Sequence, residues 1–439
     1  MKILKFGGTS VGKPERMKAV AALIQSPEPK IVVLSALSGT TNVLVSIAED
    51  LFGRYQKTAH ERVEALESHY RAFIAALYST ESSLKKGEAV LQKQLNPIRA
   101  IIDKPNFTGR EERILLSVGE LLSTQLFQLY LEELDRDSVL LPAFEFMKID
   151  SDGEPILEHI ESKLLKLLAE NKNCQTFITQ GYICLNPRGE IDNLKRGGSD
   201  YTASLIGAAV RATEVQIWTD IDGMHNNDPR IVPNTKPVAE LSFEEAAELA
   251  YFGAKILHPA TIHPAKLHNI PVRLLNTLQP TAQGTIITND LSYTTHSIKS
   301  IAAKDNIIAI KVKSTRMLLA YGFLRKVFEV FEKYKTPIDM ITTSEVAVSI
   351  TIDNASALSS IVRELAYFGT VEIDKEQSIV CVVGDLVAEN KGIVAKIFNS
   401  LQHIPLRMIS YGGSQHNISI LIQTSDKENT LRALHAGLF

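Results

Sequence analysis

The fold is decided by the amino-terminal stretch MKILKFGGTSVG, residues 1–12, which predicts a strand, a turn and a helix in immediate succession. Residues 2–6 form a short apolar run typical of a strand, and Pro14 suits the first turn of the helix that follows. Gly7 and Gly8 are expected to let the backbone take positive φ and approach a ligand closely. Backbone N–H groups that converge at such a turn favour anions, and Lys5 would add a full positive charge beside them. The spacing matches neither G-x-x-x-x-G-K-[ST] nor G-x-G-x-x-G, so a plain structural turn is an equal alternative.

Composition is that of an ordinary soluble chain with two or three domains. The 439 residues are 45% hydrophobic and 22% charged, with a formal net charge of −3. No run of Lys and Arg forms a basic patch, which argues against a nucleic-acid partner. Neither a signal peptide nor an apolar run of membrane-spanning length is visible, so we expect a cytoplasmic protein with no membrane partner. The cysteines Cys174, Cys184 and Cys381 each lie in an apolar run and are predicted to be reduced core thiols.

Strand-like and helix-like segments alternate over the first half of the chain. Apolar, β-branched runs predict strands at 2–6, 30–36, 138–142, 174–180 and 214–219. Helical periodicity lies between them, at 14–25, from 42 onward, and at 111–134, 158–171 and 199–212. This alternation predicts an α/β fold, with a mostly parallel sheet covered by helices on both faces. A charged, helix-periodic excursion at 51–103 departs from the alternation, and we interpret it as structural padding or a lid.

Polar and glycine-rich segments recur at the carboxyl ends of the predicted strands, where parallel sheets bind their ligands. A hydroxyl-rich turn follows the second strand at 35–42. A second glycine turn at 195–202 contains Arg196 and Asp200, and a glycine and a carboxylate interrupt the helix at 117–120. Charged residues mark the remaining segments, 218–223, 227–230 and 252–259. Each segment alone is ordinary turn chemistry, but together they predict one ligand site.

The sequence changes character after residue 276. Residues 281–300 are polar with one short apolar run, and predict a last strand and a linker. An internal repeat of about 70 residues follows, in which 326–328 corresponds to 396–398 and 340–342 to 408–410. Each copy predicts a ferredoxin-like βαββαβ unit, and two such units indicate a ligand-binding regulatory module. The predicted organisation is an α/β body at 1–288, a linker at 289–300 and regulatory units at 301–375 and 376–439.

The candidate groups are lysines, glycine N–H groups and a few aspartates, which suit phosphoryl transfer better than hydrolysis or redox chemistry. If the acceptor is a carboxylate, it is already ionised at pH 7 and needs no general base. Arg196 would bind the carboxylate of the acceptor in a bidentate manner. Mg²⁺ would bind mainly through the phosphates of the nucleotide, with Asp200 or Asp220 nearby. Prolines interrupt the segment that carries the histidines of 258–268, so we predict no metal site made by the protein alone.

Five segments together resemble aspartate kinase, which has the amino-acid kinase fold followed by two tandem ACT domains. They are residues 5–10, 117–120, 197–202, 218–220 and 252–255. The resemblance covers essentially the whole chain. It is greatest to the monofunctional, lysine-sensitive type, because no dehydrogenase domain follows before Phe439. The resemblance implies transfer of the γ-phosphoryl group of ATP to the side-chain carboxylate of L-aspartate. The product would be 4-phospho-L-aspartate, on the route to lysine, threonine and methionine.

The resemblance also implies roles for residues at matching positions. Lys5 would neutralise the transferred phosphoryl group and Asp200 would organise the phosphates and Mg²⁺, as the catalytic residues. Glu120 would bind the ammonium of the substrate and Arg196 its carboxylate. Ser38 and Thr41 would add substrate contacts. The implied ATP site comprises Lys5, Gly7, Gly8, Thr9, Ser10, Thr219, Asp220, His225, Asp228, Arg230 and Lys255. His225 stands where the family often has tyrosine, which changes what can stack or hydrogen-bond there.

The same resemblance implies that L-lysine binds the first repeat as a feedback effector. Asp339 would supply a carboxylate for an ammonium group, and the N–H groups near Gly322 would receive a carboxylate. The implied site residues are Met317, Ala320, Gly322, Phe323, Leu324, Asp339, Thr343, Ser344 and Glu345. Ala320 replaces the serine expected in the most similar relatives, a loss that would lower affinity or shift the preferred effector to threonine or a second ligand.

Other functions stay open on the residues alone. One is a kinase for another small acid, such as glutamate or carbamate, because one methylene is worth only about 1 to 3 kcal/mol of discrimination. Another is a non-catalytic amino-acid sensor of the same fold, which loss of Lys5, Arg196 or Asp200 would favour, yet all three are present. We also expect a homodimer or a dimer of dimers, because the ACT-like units would otherwise expose sheet edges.

Overall fold

The computed structural model describes residues 1–194, 197–252, 259–289, 298–314, 321–385, 387, 389 and 391–439. The chain forms two compact units. Unit 1 comprises residues 1–223 and 257–290, and unit 2 comprises residues 224–256 and 291–439. Residues 224–256, which the sequence groups with the α/β body, therefore cluster with the carboxyl-terminal part of the chain. The predicted domain boundaries at 288, 300 and 375 stay predictions.

Up to residue 223 the elements follow the predicted alternation. The strands are β1 (Lys2–Phe6), β2 (Lys30–Leu34), β3 (Val139–Leu140), β4 (Thr176–Gln180), β5 (Ile183–Leu185), β6 (Ile191–Asn193) and β7 (Glu214–Thr219). The helices are α1 (Gly8–Val11), α2 (Pro14–Leu23), α3 (Thr40–Phe52), α4 (Gln56–Leu77), α5 (Glu81–Ile102), α6 (Gly109–Glu133), α7 (Leu157–Glu170) and α8 (Gly198–Ala209). A short 3₁₀ turn spans Ala143–Glu145. The excursion at 51–103 is helical, as predicted, and its role as padding or lid stays a prediction.

The chain then enters unit 2 with β8 (Glu240–Leu241) and α9 (Phe243–Tyr251). It returns to unit 1 with α10 (Pro259–Leu267), β9 (Val272–Asn276) and β10 (Thr285–Ile287). Within unit 1 the strands of the main sheet lie in the order β3-β4-β2-β1-β7-β9-β10. Neighbours are parallel except β10, which runs antiparallel to β9. From β1 the chain crosses to β2 on one side and later to β7 on the other. Parallel sheets bind ligands at the carboxyl ends of strands beside such a switch point.

Burial explains why these segments become central strands. Every residue of β2 is buried, as expected for a parallel strand with both faces covered. In β1, Ile3, Leu4 and Phe6 are buried, and the Phe6 ring stacks on Trp218 of β7 with centroids 5.7 Å apart. Apolar residues of α4, α5 and α6 complete the same hydrophobic core. The core thereby holds the carboxyl ends of β1 and β7 next to each other.

Helix α6 is the one helix of the described residues that is long and apolar enough to cross a membrane by length and composition. The most apolar part of this helix is 61% buried inside the protein. Thr108 and Glu111 form a capping box at its amino-terminal end. Burial within unit 1 accounts for the apolar character of α6, because a core helix can be as long and as apolar as a membrane span.

Unit 2 continues with a six-stranded antiparallel sheet flanked by helices. Its strands are β11 (Ile298–Lys313), β12 (Ile341–Thr343), β13 (Ala347–Ile352), β14 (Thr370–Gly384), β15 (Met408–Tyr411) and β16 (Asn417–Gln423), in the spatial order β12-β13-β11-β14-β16-β15. The helices are α11 (Phe323–Lys333), α12 (Leu358–Leu365), α13 (Ile393–Ser400) and α14 (Lys427–Leu438), with a 3₁₀ turn at Thr424–Asp426. Separate hydrophobic cores lie under α11 with α12 and under α13 with α14. The repeat predicted from sequence thus corresponds to two packed halves.

The two halves of this sheet share strands β11 and β14. Residues 307–313 of β11 pair with 370–377 of β14, and residues 298–304 pair with 379–384. The amino-terminal part of β11 therefore belongs to the half that contains α13 and α14. A strict tandem arrangement, in which each copy supplies all its own strands, does not describe this pairing. The predicted limits at 300 and 375 fall inside β11 and β14.

Candidate active site

The turn after β1 is fastened to the ends of β7 and β9. Gly7 N donates a hydrogen bond to Trp218 O at 3.2 Å. Ser10 is buried, and its hydroxyl lies 2.7 Å from the Thr277 hydroxyl. Thr9 is partly buried, and its carbonyl accepts from Arg16 at 2.7 Å. These bonds hold the predicted anion-binding turn at the switch point of the sheet.

Glycines in this turn are required by the neighbouring loop after β2. A Cβ at Gly8 would lie 2.9 Å from Ala36 O, and one at Gly12 would lie 2.6 Å from Ser38 Cβ. Both distances are shorter than side chains tolerate. The turn after β1 and the loop that carries Ser38 are therefore in direct contact. The positive φ expected at Gly7 and Gly8 is wrong, since Gly7 has φ −72° and Gly8 is the first residue of α1.

Lys5 and Asp200 form an ion pair at the centre of this region. Lys5 Nζ lies 2.7 Å from Asp200 Oδ1, and the two side chains are 11% and 15% exposed. Gly7 is adjacent to the ammonium, since a Cβ there would be in ordinary contact with Nζ at 3.5 Å. The pair joins the end of β1 to the first turn of α8, and a positive group next to a glycine turn suits a phosphoryl group.

Close packing of glycines sets the start of α8 and thereby the position of Asp200. Gly197 caps the helix in the left-handed region at φ +73°. A Cβ at Gly198 would lie 2.6 Å from the Tyr182 ring, and one at Gly181 would lie 2.5 Å from Ser199. Thr202 Oγ1 accepts from Tyr182 N at 3.0 Å. The turn predicted from sequence at 197–202 is thus packed against the loop after β4.

Glu120 supplies a buried carboxylate beside the loop after β2. It is 3% exposed, and its Oε1 accepts a hydrogen bond from Ala36 N at 3.2 Å. Burial raises the pKa of Glu120 to about 8, although the Ala36 N–H group and the charge of Lys5 act in the opposite direction. Gly119 explains the close approach, because a Cβ there would lie 2.6 Å from Ala36 Cβ. A cationic group brought to Glu120 would restore its ionised form.

The remaining predicted substrate and nucleotide residues of unit 1 lie at the same strand ends. Ser38 is exposed and Thr41 half-buried, in and after the loop that follows β2. At the end of β7, Thr219 Oγ1 donates to Asp220 Oδ1 at 3.1 Å. The predicted residues Lys5, Gly7, Gly8, Thr9, Ser10, Ser38, Thr41, Glu120, Asp200, Thr219 and Asp220 are thereby grouped along the carboxyl ends of neighbouring strands. Their roles stay predictions.

The other described nucleotide candidates belong to unit 2. Arg230 binds Asp228 in a bidentate manner, with Nε 2.9 Å from Oδ1 and Nη2 2.7 Å from Oδ2. This pairing lowers the pKa of Asp228, and Arg230 is largely exposed. His225 Nδ1 lies 2.9 Å from the Thr235 hydroxyl, so its ring already has a hydrogen-bond partner.

The predicted effector residues fall into separate places within unit 2. Gly322 caps α11 in the left-handed region at φ +77°, followed by the buried Phe323 and the half-buried Leu324. Asp339 precedes β12, and its N–H group donates to Thr351 O at 2.9 Å. Thr343 ends β12 opposite Val348, and Ser344 and Glu345 follow in the exposed turn. Three residues of β13 separate these positions, about 10 Å. Asp339 and Thr343 therefore lie near opposite ends of β12, and their shared role in effector binding stays a prediction.

Four of the predicted site residues lie outside the described residues: Arg196, Lys255, Met317 and Ala320. Among the residues that the structure does describe, no group of three or more His, Cys, Asp or Glu is arranged to hold a metal ion. The predicted roles of the four residues stay predictions.

Sequence reasoning missed two residues that surround Asp339. Lys304 Nζ lies 2.7 Å from Asp339 Oδ1, and the Tyr251 hydroxyl donates to the same oxygen at 3.0 Å. The available signal was a single lysine after the apolar run 301–303 of β11. Nothing local in the sequence connects it to Asp339, because the contact depends on how strands β11 and β13 pair.

The comparisons with known proteins agree along the whole chain. The model of the amino acid kinase family matches residues 1–276, and an ACT domain model matches residues 380–438. Aspartokinase 2, chloroplastic, of Arabidopsis thaliana is 36% identical over an alignment 464 positions long, which covers 100% of this chain and 84% of the plant protein.

Solved structures give the same assignment. The crystal structure of E. coli aspartokinase III in complex with aspartate and ADP (R-state) superposes with a TM-score of 0.86 at 33% identity, covering 100% of both chains. The structure of E. coli aspartokinase III in complex with lysine and aspartate (T-state) has a TM-score of 0.82 at 33% identity, covering 100% of this chain and 99% of that one. The chain therefore belongs to the aspartokinase family.

Proposed function

We propose that this chain transfers the γ-phosphoryl group of ATP to the side-chain carboxylate of L-aspartate and releases 4-phospho-L-aspartate and ADP. Family membership makes it an aspartate kinase, a phosphotransferase with a carboxyl group as acceptor. The product is the first intermediate toward lysine, threonine and methionine. The observation that carries the proposal is the Lys5–Asp200 pair, 2.7 Å long, beside the glycine turn at the switch point of the parallel sheet.

Charge neutralisation and positioning account for the reaction. The acceptor carboxylate is ionised at neutral pH and is itself the nucleophile, so no side chain has to remove a proton. Lys5 neutralises charge on the phosphoryl group as it passes to the acceptor, and the glycine turn allows the backbone N–H groups to approach it. An incoming phosphate replaces Asp200 as the partner of Lys5, so the Lys5 ammonium keeps a negatively charged neighbour throughout.

The substrate is held by groups of opposite charge. We assign the ammonium of aspartate to Glu120, which gives up its proton when that cation arrives. Arg196 is assigned to the carboxylate of the substrate through a bidentate contact, and Ser38 and Thr41 are assigned further contacts with the substrate. Because Glu120 has a buried Oε2 without a hydrogen-bond partner among the described residues, an N–H donor from the substrate would satisfy it.

ATP is assigned to the β1 turn and the end of β7, with contributions from His225, Asp228, Arg230 and Lys255. Asp200 and Asp220 are carboxylates of the kind that bind Mg²⁺, and the described residues offer no all-protein cage. This donor set fits a metal ion held mainly by the nucleotide, which would neutralise phosphate charge when bound. With Mg²⁺ bound, Asp200 would offer a carboxylate oxygen to the metal, and Lys5 would pair with the phosphate instead.

Regulation, location and assembly belong to the same proposal. We assign L-lysine as a feedback inhibitor that binds unit 2 near Gly322 and Asp339. Support comes from the lysine complex of E. coli aspartokinase III, a protein similar to this chain over its full length. We further propose a cytoplasmic homodimer or dimer of dimers, in which the ACT-like sheets of two chains cover each other's edges.

ATP consumption that depends on L-aspartate tests the activity directly. The acyl phosphate is trapped with hydroxylamine as the hydroxamate, and L-glutamate serves as the matched alternative acceptor. We expect aspartate-dependent turnover at least tenfold above that with glutamate, from one methylene of misfit. Turnover with glutamate equal to that with aspartate would assign a different acceptor, and binding of aspartate without ATP consumption would indicate a sensor.

A further inference from the structure

Asp339 is a buried carboxylate that already has partners inside the chain. Its side chain is 2% exposed. Its Oδ1 accepts hydrogen bonds from Lys304 Nζ at 2.7 Å and from the Tyr251 hydroxyl at 3.0 Å. Its Oδ2 is buried without a hydrogen-bond partner among the described residues. A carboxylate in this state has one satisfied oxygen and one that can receive a further donor.

Lys304 lies between two carboxylates. Besides Asp339, its ammonium contacts Asp353 Oδ2 at 3.0 Å, and Asp353 is 40% exposed. The ammonium also lies 4.5 Å from the centroid of the Tyr251 ring, within range of a cation–π contact. Lys304 can therefore leave Asp339 and keep an ionic partner at Asp353, on the more exposed side of the cluster.

We propose that Lys304 is an internal competitor of the effector at Asp339. Without effector, the ammonium of Lys304 occupies the carboxylate. When an amino-acid ammonium binds Asp339 at Oδ2, two cations lie against one carboxylate, and their repulsion shifts Lys304 toward Asp353. This inference rests on the proposed function, which assigns Asp339 to the lysine site. The inference adds that the affinity for the effector depends on the displacement of Lys304 as well as on the attraction of the Asp339 carboxylate.

Through Tyr251, a displacement of Lys304 would also affect helix α9 of unit 2. Tyr251 is the last residue of α9, and its hydroxyl shares Asp339 Oδ1 with Lys304. The same helix is bonded to the sheet through Glu248, whose carboxylate accepts from Asn417 Nδ2. A change in the partners of Asp339 therefore changes a bond at the end of α9, while the Glu248 contact holds the helix on the sheet.

Two substitutions with opposite expected effects test the proposal. L-Lysine is titrated into the full-length protein by calorimetry, and aspartate-dependent turnover without lysine is measured in parallel. Lys304→Met removes the competitor, so we expect the Kd for L-lysine to fall about tenfold, an ordinary size for a coupling between sites. Asp353→Asn removes the alternative partner, so Lys304 is held by Asp339 alone and the Kd should rise about fivefold. Lys427→Met is the matched control, because Lys427 pairs at 2.6 Å with Asp305, the neighbour of Lys304 on β11. The Kd of this variant for L-lysine should stay within about twofold of the wild-type value.

Several results would overturn the inference. One is a shift of both variants in the same direction, or an unchanged Kd in Lys304→Met. Another is tightening in Lys304→Met that disappears at high salt, which would indicate a general charge effect, because buried pairs are screened little. If Lys304→Met does not fold, Asp353→Asn decides alone, and an unchanged or lower Kd refutes the proposal. If wild-type protein does not bind L-lysine, the effector assignment fails together with this inference, whereas aspartate-dependent turnover would still support the kinase activity.

Discussion

Two lysine–aspartate pairs of equal length occupy different settings in this chain. In unit 1, Lys5 and Asp200 are 2.7 Å apart, beside a glycine turn and at the ends of two parallel strands. In unit 2, Lys304 and Asp339 are also 2.7 Å apart, but Tyr251 and Asp353 enclose them. Length and chemical type of the pair are therefore the same, and only the surroundings differ.

The surroundings decide what each pair can do. Next to an open turn, Lys5 can exchange its carboxylate for a phosphate without leaving its position, as electrostatic catalysis requires. Lys304 contacts two carboxylates, Asp339 and Asp353, and this arrangement suits a switch better than catalysis. A buried ion pair therefore indicates a function only when the groups around the pair are considered with it.

The largest effect is expected from the catalytic pair. Lys5→Met should lower kcat by about 10³-fold, because the charge that neutralises the transferred group is lost while the β1 strand keeps its apolar packing. Steady-state kinetics with a thermal melt checks both points. Lys2→Met is the control, since Lys2 lies on the same strand and pairs with the exposed Glu28. If the Lys5→Met enzyme were as fast as the Lys2→Met enzyme, Lys5 would not neutralise charge on the transferred phosphoryl group.

Glu120 differs from Asp200 in its partner: its Oε1 accepts from the backbone N–H group of Ala36, whereas Asp200 pairs with the ammonium of Lys5. The pKa of Glu120, about 8, lies above its ordinary value of 4.5 because of burial. The native state thus keeps a proton that the unfolded state loses, and the free energy of unfolding falls as pH rises from about 4.5 to 8.

Glu120→Gln removes this titration. Relative to wild type, the free energy of unfolding of the variant should gain roughly 3 kcal/mol between pH 6 and 8.5. Urea denaturation at the two pH values measures the difference. Equal pH dependence in both proteins would mean that Glu120 is not protonated in the native state. The variant should also raise the KM for aspartate at both pH values, because the substrate ammonium loses its ionic partner.

In the enclosed pair, loss of charge should affect control more than catalysis. Asp339→Asn keeps the size of the side chain, and we expect lysine inhibition to weaken about tenfold through loss of the charged acceptor. Inhibition curves for L-lysine, with kcat measured in its absence, check this. An unchanged half-inhibitory concentration would remove Asp339 from the effector site.

The smallest effects are expected at two capping glycines, one in each region. Gly39 caps α3 at φ +84° and Gly322 caps α11 at φ +77°, and a Cβ at either position would meet no atom within 4 Å. Alanine at either site should cost about 1 kcal/mol from backbone conformation alone. Urea denaturation of both variants, with Gly8→Ala as the crowded counterpart, measures it. If the free energy of unfolding fell several times more than this at Gly39 or Gly322, the new methyl group would be meeting atoms that the structure does not place within 4 Å.

Local pattern was enough to predict much of unit 1. The strand at 2–6 and the helices around it follow from apolar periodicity, which acts over a few residues. At the turn the small size of Gly8 matters, because a Cβ there would lie 2.9 Å from Ala36 O. Lys5, Glu120 and Asp200 were identified because each stands next to such a turn or inside such a helix. The structure confirms the α/β sheet that this alternation predicted, and comparison with aspartokinases confirms the family.

Other features depend on contacts between distant parts of the chain. The Lys5–Asp200 pair requires β1 and α8 to meet, and the triple contact of Asp339 with Lys304 and Tyr251 requires β11, β13 and α9 to pack together. The sequence contains both residues of each pair but no signal of their distance. The sharing of β11 and β14 by the two halves of the regulatory sheet was also missed, because a repeat in sequence does not specify which strands pair.

By itself the sequence determined the family, the order of the elements and the residues that can carry charge to a phosphate, because these depend on residue type and local spacing. Only the tertiary structure decided which lysine meets which aspartate and how much space remains beside them. The physical reason is that side-chain chemistry is local, whereas burial, pKa and ionic partners arise from chain segments that are brought together by folding.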